Sequence, residues 1–452
     1  MKVKHMAARC AVLAALGLPL ASAQAIDLMG AYDHALSHDP SKLAADEAVA
    51  AGREKALQGD ALLRPRVGLQ AGVSRIDNHT STTVPAAFSS IVPSHSNGTV
   101  QQATLQLTQP LHDATARAEK AQLHQQTAMA ETQFDQSRQD LAQRVAQTYF
   151  GVLLAEEALR VVQAEKAAIG QQRDRAQARF DVGRGKVTDL QEAQARYDQV
   201  LTKEIAARST LDLRRAQFQE TSGLPAEGLA QLAPGLVPMP PEPDDLTAWQ
   251  VRGEDHNTAA RVKRSELDVA KAEIEKHRLS GRPTLNLVAS YTAQGQSGGL
   301  SPLATPDNER TALVGLQLNI PLYAGGALDS REREALARQR QAEQELAATR
   351  RDVRLQVQDA YLAVKTGVSR IASFSQSLVS ARTALEATTL GRDVGTRTEL
   401  DVLDAQQRVF AAELDLAQAR FDYLLGRVRL AAATGELDEA DLRVLNGWLV
   451  TR

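Results

Sequence analysis

The sequence predicts a mainly α-helical chain with a small β part, duplicated internally. Three observations carry that fold class. The 16 prolines avoid residues 111–224 and everything after 321. The two halves of the chain match one another at nearly constant offsets. Short segments that alternate apolar and small-polar residues precede each proline-free stretch.

Composition narrows the options first. Apolar residues make up 43% of the 452 and aromatics only 4%. That is enough apolar material to exclude wholesale disorder, yet a core so poor in rings must be thin and built from Ala, Val and Leu. The one cysteine, Cys10, excludes a disulfide framework and any Cys-based zinc site. A formal net charge of −3 gives no basic footprint, so no nucleic-acid partner is expected.

Residues 1–23, or to 25, read as a signal peptide. Lys2, Lys4 and Arg9 form a cationic start, Cys10 to Leu20 is apolar, and Ala21-Ser22-Ala23 offers a cleavage site. The apolar run is too short to span a bilayer as a helix, and no later stretch does better. An exported chain of this kind leaves any bilayer crossing to strands.

The duplication is read residue by residue. Asp27-Leu28, His38 and Arg64-Pro65 recur 218 positions later as Asp245-Leu246, His256 and Arg282-Pro283. Tyr149, Val182-Gly183, Asp189, Ala193-Gln194 and Gly223 recur 212 positions later as Tyr361, Val394-Gly395, Asp401, Ala405-Gln406 and Gly435. The offset changes between residues 73 and 112, a Ser-, Thr- and Pro-rich stretch suited to a surface loop. Residues 24–224 form the first repeat and 245–436 the second. Residues 225–244, with six prolines, are the linker, and 437–452 form a C-terminal segment.

Within the first repeat, strands are expected over about 66–75 and 100–110. Val67, Leu69, Ala71 and Val73 alternate with Gly68, Gln70, Gly72 and Ser74. The second repeat expects strands over 283–292 and 311–321, with Leu285, Leu287, Ala289 and Tyr291, then Val314, Leu316, Leu318 and Ile320. An ordinary half-buried hairpin shows the same alternation, and export tilts the choice toward membrane strands. Four strands cannot close a barrel, so strands that span lipid need several chains.

Long helices follow each strand pair, because no proline interrupts them and Ala, Gln, Arg, Glu and Leu dominate. They are expected at 114–181 and 327–393, each about 100 Å long. Glycine turns at Val182-Gly183 and Val394-Gly395 end them. Shorter helices follow at 187–222 and 398–434.

The last of these is the most informative. Val402, Ala405, Val409, Ala412, Leu416, Ala419, Tyr423, Gly426, Leu430 and Ala433 keep a strict three-four spacing. A second seam runs beside it through Leu400, Leu403, Phe410, Leu414, Ala417, Phe421, Leu424, Val428 and Ala431, broken only at Gln407. One polar strip between them holds Gln406, Glu413, Arg420 and Arg427, and the other holds Asp401, Asp404, Arg408, Asp415, Asp422 and Arg429. Two narrow seams with polar strips on both sides mean a neighbour to left and right and water in front and behind, as in a wall. A flat helical sheet or an extended coiled coil would carry the same seams, and in function a periplasmic scaffold or surface fibre is the alternative. The matching helix of the first repeat shows the pattern more weakly, since Glu204 and Arg214 fall in its seam.

The chain resembles the TolC family of outer-membrane export channels over nearly all of its mature length. Asp393-Val394-Gly395-Thr396-Arg397-Thr398-Glu399-Leu400-Asp401-Val402-Leu403-Asp404-Ala405 carries the resemblance, with Phe180-Asp181-Val182-Gly183, Thr188-Asp189 and the closing Leu442-Arg443-Val444-Leu445-Asn446. The resemblance implies a homotrimer: four strands per chain form a 12-stranded outer-membrane β-barrel, and very long antiparallel helices form an α-barrel across the periplasm. It implies a passive exit duct for drug efflux or type I protein secretion. Its partners would be outer-membrane lipid, a periplasmic adaptor (membrane fusion) protein and an inner-membrane pump of ABC, RND or MFS type.

Residue roles follow from the same resemblance. Asp401 and Asp404 match an acidic gate at the periplasmic entrance, where threefold symmetry would gather six carboxylates that favour cations. Thr188, Asp189, Arg392 and Arg397 match a polar latch at the tips, with Arg392 standing where the family has a tyrosine. Val182, Gly183, Val394 and Gly395 match the tips that dock the adaptor. Glu192, the repeat mate of Asp404, is a further candidate for the gate. Seam spacing leaves the lumen face open: the seams lie about 150° apart on the Glu413 side, which a closed ring turns inward unless the tip helices coil or bend.

Catalytic chemistry is not expected. His34 and His38 are spaced like a metal pair but gather no further ligand, and no phosphate loop, nucleophile triad or metalloprotease motif occurs. No cofactor or metal is expected.

Overall fold

A computed structural model describes residues 26–79, 81, 95–298 and 308–450. The signal segment and Cys10 lie outside the described residues.

The first repeat begins with α1 (Leu28–His38) and α2 (Pro40–Ala61), capped by the side chains of Asp27 and Asp39. The hairpin β1 (Arg66–His79) and β2 (His95–His112) follows, then α3 (Ala114–Asp181) and α4 (Val187–Ser222). A short β3 (Gln231–Leu232) lies in the linker. The second repeat runs through α5 (Leu246–His256), α6 (Thr258–Leu279), β4 (Thr284–Gly298), β5 (Asn308–Asn319), α7 (Ala327–Asp393) and α8 (Glu399–Ala433). The chain closes with α9 (Glu439–Asn446) and β6 (Leu449–Val450). At 68 residues, α3 is about 100 Å long.

Four of the strands form one antiparallel sheet in the order β1-β2-β4-β5. Its register gathers the apolar alternates on one face. Leu69 lies opposite Leu105, Leu105 opposite Tyr291, and Tyr291 opposite Ala312. The other face is small and polar, with the Thr104 and Thr292 hydroxyls 3.1 Å apart. The far ends of β1, β2 and β4 run beyond the apolar alternation, because the ladder continues through polar residues such as Asp77 to His79 and His95 to Asn97. Both outer strands, β1 and β5, keep an open hydrogen-bonding edge, which lipid does not tolerate.

The helices form a single panel of four staves. Along α3, α2 packs on the strand-proximal half and α4 on the distal half; α6 and α8 divide the opposite side in the same way, and α7 packs on both of them. The stave order is therefore α2/α4, α3, α6/α8, α7. It matches the strand order, since β1 follows α2, β2 leads into α3, β4 follows α6 and β5 leads into α7. The joins between stacked helices are tight. Gly223, with φ of 72°, would place a methyl 2.5 Å from the His38 ring, and Gly435, with φ of 73°, one 2.1 Å from the His256 carbonyl oxygen. Only glycine fits there.

The main core lies at mid-height, where Tyr149, Phe150, Phe218, Phe421, Tyr423 and Leu424 are buried. A belt wraps one face of the panel there. β3 pairs with β6, Asn446 Nδ2 donates to Asp27 Oδ2 at 2.8 Å, and Tyr423 Oη donates to the Met239 carbonyl at 2.9 Å.

All ten residues of the first α8 seam are buried, from Val402 to Ala433. They pack on α7, where Gly426 lies against Val364 and Gly367 against Tyr423. The second seam meets α3, with the Phe421 and Phe150 rings 6.3 Å apart. The α3–α4 contact differs. Beside Ala193, Val200 and Phe218 it holds Glu204, which accepts from Lys166 at 2.8 Å and Arg208 at 2.7 Å, and Glu165, which accepts from Lys203 at 3.0 Å.

Candidate functional site

The end of the panel farthest from the sheet holds the two helical turns. They are built alike. After α3, Gly183 takes a φ of 69°, its N–H reaches the Phe180 carbonyl at 2.9 Å, and the Arg184 N–H reaches Arg179 at 2.8 Å. After α7, Gly395 takes a φ of 81°, its N–H reaches Arg392 at 3.0 Å, and the Thr396 N–H reaches Gly391 at 2.8 Å. This is the glycine closure that satisfies the last helical carbonyls. It leaves Val182 and Val394 69% and 68% exposed, two apolar side chains largely open to solvent among the described residues.

Above the turns, an ion network ties the two helical hairpins together. Glu399, buried at the start of α8, accepts from Arg179 of α3 at 3.2 Å and from Arg392 of α7 at 3.3 Å. Arg392 is itself 10% exposed and also reaches Asp393 at 2.6 Å. The two guanidiniums give the buried carboxylate a charge-assisted partner on both sides. Sequence reading assigned a role to Arg392 but none to Glu399 or Arg179, because the meeting of Arg179 with Glu399 joins residues 220 positions apart.

Within one chain the four residues of the predicted tip latch are not hydrogen-bonded or ion-paired to one another among the described residues. Arg392 is engaged with Glu399, whereas among the described residues Thr188 and Asp189 contact neither Arg392 nor Arg397. Arg397 is exposed and lies in the groove between α7 and α8 with Asp401, Arg408 and Asp415.

The two gate candidates do different work. Asp401 is the third residue of α8 and closes a capping box: its carboxylate accepts from the Thr398 N–H at 2.8 Å and hydroxyl at 2.9 Å. Those two bonds, with Arg397 and Arg408 nearby, hold the Asp401 carboxyl below the usual carboxylate range. Asp404, one turn on, accepts from Arg196 of α4 at 2.8 Å, and the same guanidinium reaches Gln407 at 3.0 Å. Arg196 had no role in the sequence reading. Glu192 is exposed and, among the described residues, forms no ion pair.

Residues 31–224 and 255–436 each match the outer membrane efflux protein family. The chain belongs to that family.

Relatives bear this out at full length. The outer membrane protein TolC of Vibrio cholerae is 30% identical over 440 residues, 97% of each chain. The alkaline protease secretion protein AprF of Pseudomonas aeruginosa is 32% identical over 426 residues, covering 93% of this chain and 87% of AprF. The fold is also that of the Campylobacter jejuni CmeC outer membrane channel, with a TM-score of 0.78 at 16% identity, over 99% of this chain and 98% of that one. This outer membrane efflux protein is an exit channel for efflux or type I secretion, seated in the outer membrane and extending into the periplasm. It is a channel and not an enzyme, and a scaffold or fibre without a pore is set aside. Channels of the family work as trimers within tripartite export systems.

Proposed function

We propose that three copies close into one continuous tube, and that Asp401 and Asp404 form the selective ring at its periplasmic mouth. The observation that carries this is the matched order of strands and staves with open edges on both. Three such panels join β5 to β1 and α7 to α2/α4 and leave no edge, in lipid or in water. Exposed apolar residues on the edge staves, Ile205 and Leu213 on α4 and Leu355 and Leu390 on α7, suit that joint.

Two features support turning the Asp401–Asp404 strip toward the lumen. α4 and α8 stand on opposite sides of α3 along the panel, yet Arg196 and Asp404 bridge them near the tips, so the panel is concave on the Asp404 side there. The belt covers the opposite strip, where the Arg427 guanidinium stacks on Trp448 at 5.2 Å. Bending near the tips thus reverses the facing that seam spacing alone implied. Within the ring, Arg196 offsets part of the charge of Asp404, while Asp401 stays ionised through the cap.

In this reading Arg392, with Glu399 and Arg179, holds each protomer's hairpins together, and Thr188, Asp189 and Arg397 are left to reach a neighbouring protomer. The Val182-Gly183 and Val394-Gly395 turns present the apolar contact for a periplasmic adaptor. An inner-membrane pump of ABC, RND or MFS type supplies the energy. Relatives named for protease secretion and for efflux leave both cargo classes within reach of the same duct.

Planar-bilayer conductance tests the ring. Replacing Asp401 and Asp404 by Ala should weaken cation selectivity and enlarge the single-channel current. Unaltered selectivity in that double variant removes both residues from the entrance.

A further inference from the structure

At the other end of the molecule, the outer tip of the β1–β2 hairpin gathers three side chains that the tunnel does not use. His79 lies directly opposite His95 in the ladder, and Asp77 sits two residues back on the same face. The imidazole centroids are 4.2 Å apart. Asp77 Oδ1 lies 3.3 Å from His95 Nδ1 and 3.8 Å from His79 Nδ1. One donor atom from each of the three lies within 4.8 Å of the others.

We propose that Asp77, His79 and His95 form a binding site for a divalent transition-metal ion, one per chain. The spacing fits. Donors about 2.1 Å from a tetrahedral ion stand roughly 3.4 Å from one another. The Asp77–His95 separation already has that value, and modest side-chain rotation closes the remainder. The ladder fixes the three Cα positions, so little ordering of the backbone is left to binding. Two imidazoles and a carboxylate select Zn²⁺, Ni²⁺, Co²⁺ or Cu²⁺ over Mg²⁺ and Ca²⁺, which prefer all-oxygen shells. Three protein ligands leave a coordination position for water. Among the described residues, no lysine or arginine is ion-paired with Asp77.

Location makes the site open to the medium. All three side chains are about half exposed or more. They continue the face that carries Val67, Leu69, Ala71 and Val73, with His79 about 20 Å along the strand beyond Val73. On the barrel reading, that places the ion above the apolar band on the outer surface of the cell, where it ties β1 to β2. The metal site itself does not depend on that reading.

Titration calorimetry with ZnCl₂ on the untagged full-length protein in detergent provides the test. The wild-type chain should take up one Zn²⁺ saturably and should not respond to MgCl₂. The His79→Ala/His95→Ala double variant should lose that binding. Asp77→Asn should weaken it about tenfold or more, since even supporting partners of a metal ligand are worth that much. The His34→Gln/His38→Gln variant, altered at the other histidine pair, should bind as wild type. Cu²⁺ bound to the wild type should show electron-paramagnetic superhyperfine splitting from two imidazole nitrogens, absent in the double variant. No saturable Zn²⁺ uptake by the wild type overturns the proposal, as does unchanged uptake by the His79/His95 variant. Bilayer conductance measured on the same samples separates the two ideas: Zn²⁺ uptake without a pore sinks the channel reading and leaves the site standing.

Discussion

The two helical hairpins descend from one repeat and have the same shape, but different chemistry holds them. The α7–α8 contact is an apolar seam, ten residues buried in unbroken spacing. The α3–α4 contact interrupts its apolar residues with Glu204 and Glu165, each paired to a lysine of the partner helix. Position in the panel explains the difference. α8 is an inner stave with α7 on one side and α3 on the other, so both its seams are filled by its own chain. α4 is an edge stave that packs mainly on α3 and leaves Ile205 71% exposed. Matching lengths and matching glycine turns set the shape of a hairpin, and the contact chemistry is free to diverge beneath it.

The largest expected effect lies in the apolar hairpin. Leu430→Ala removes a buried side chain of that seam and should cost about 2–5 kcal/mol in a denaturant melt. A loss under 1 kcal/mol would mean the seam is not what holds α8.

The ion-paired hairpin should answer differently. Glu204→Ala strands Lys166 and should destabilise, whereas the Lys166→Leu/Glu204→Leu double variant should match or exceed the wild type in the same melt, because packed apolar residues replace both members of an ion pair at little cost. If both variants lose stability equally, the pair is more than a substitute for packing.

Acid sharpens the contrast. Bonds from Lys166 and Arg208 hold the Glu204 carboxyl below its ordinary range. A depressed carboxyl contributes stability above its unfolded value and loses it as pH falls through the folded one. Thermal melts of the wild type should therefore drop below the usual glutamate range by a margin that the double variant lacks. Parallel acid curves for the two proteins would contradict this.

The turns should show the smallest effect and no contrast at all. Nothing lies within 4 Å of a methyl added at Gly183 or Gly395. Gly183→Ala and Gly395→Ala should each cost only the left-handed backbone term, about 1–2 kcal/mol. A markedly larger loss at one turn would reveal a contact that the other lacks.

Much of this architecture was legible in the residues, for identifiable reasons. Helix length followed from absent prolines, duplication from constant offsets, and the staves from two seams on α8. The weak seam of the first repeat was also visible in Glu204, although its lysine partner was not. What stayed hidden depends on distant residues meeting: Arg179 with Glu399, Arg196 with Asp404, and His79 with His95 across the connection at 80–94. Thr398 and Asp401 carry a capping-box spacing that the acidic-ring resemblance overshadowed. Strand ends were placed short because polar residues such as Asn78 and Ser96 carry no alternation, while backbone pairing is indifferent to it.

The joins at Gly223 and Gly435 have a mechanical consequence. Two of the four rods in each protomer are made of separate pieces set end to end, and the two that alternate with them are unbroken. A jointed rod swivels at its junction without breaking helical hydrogen bonds, whereas a continuous one must flex along many turns. Motion at the periplasmic mouth therefore meets least resistance in α4 and α8, with α3 and α7 acting as the springs that restore them.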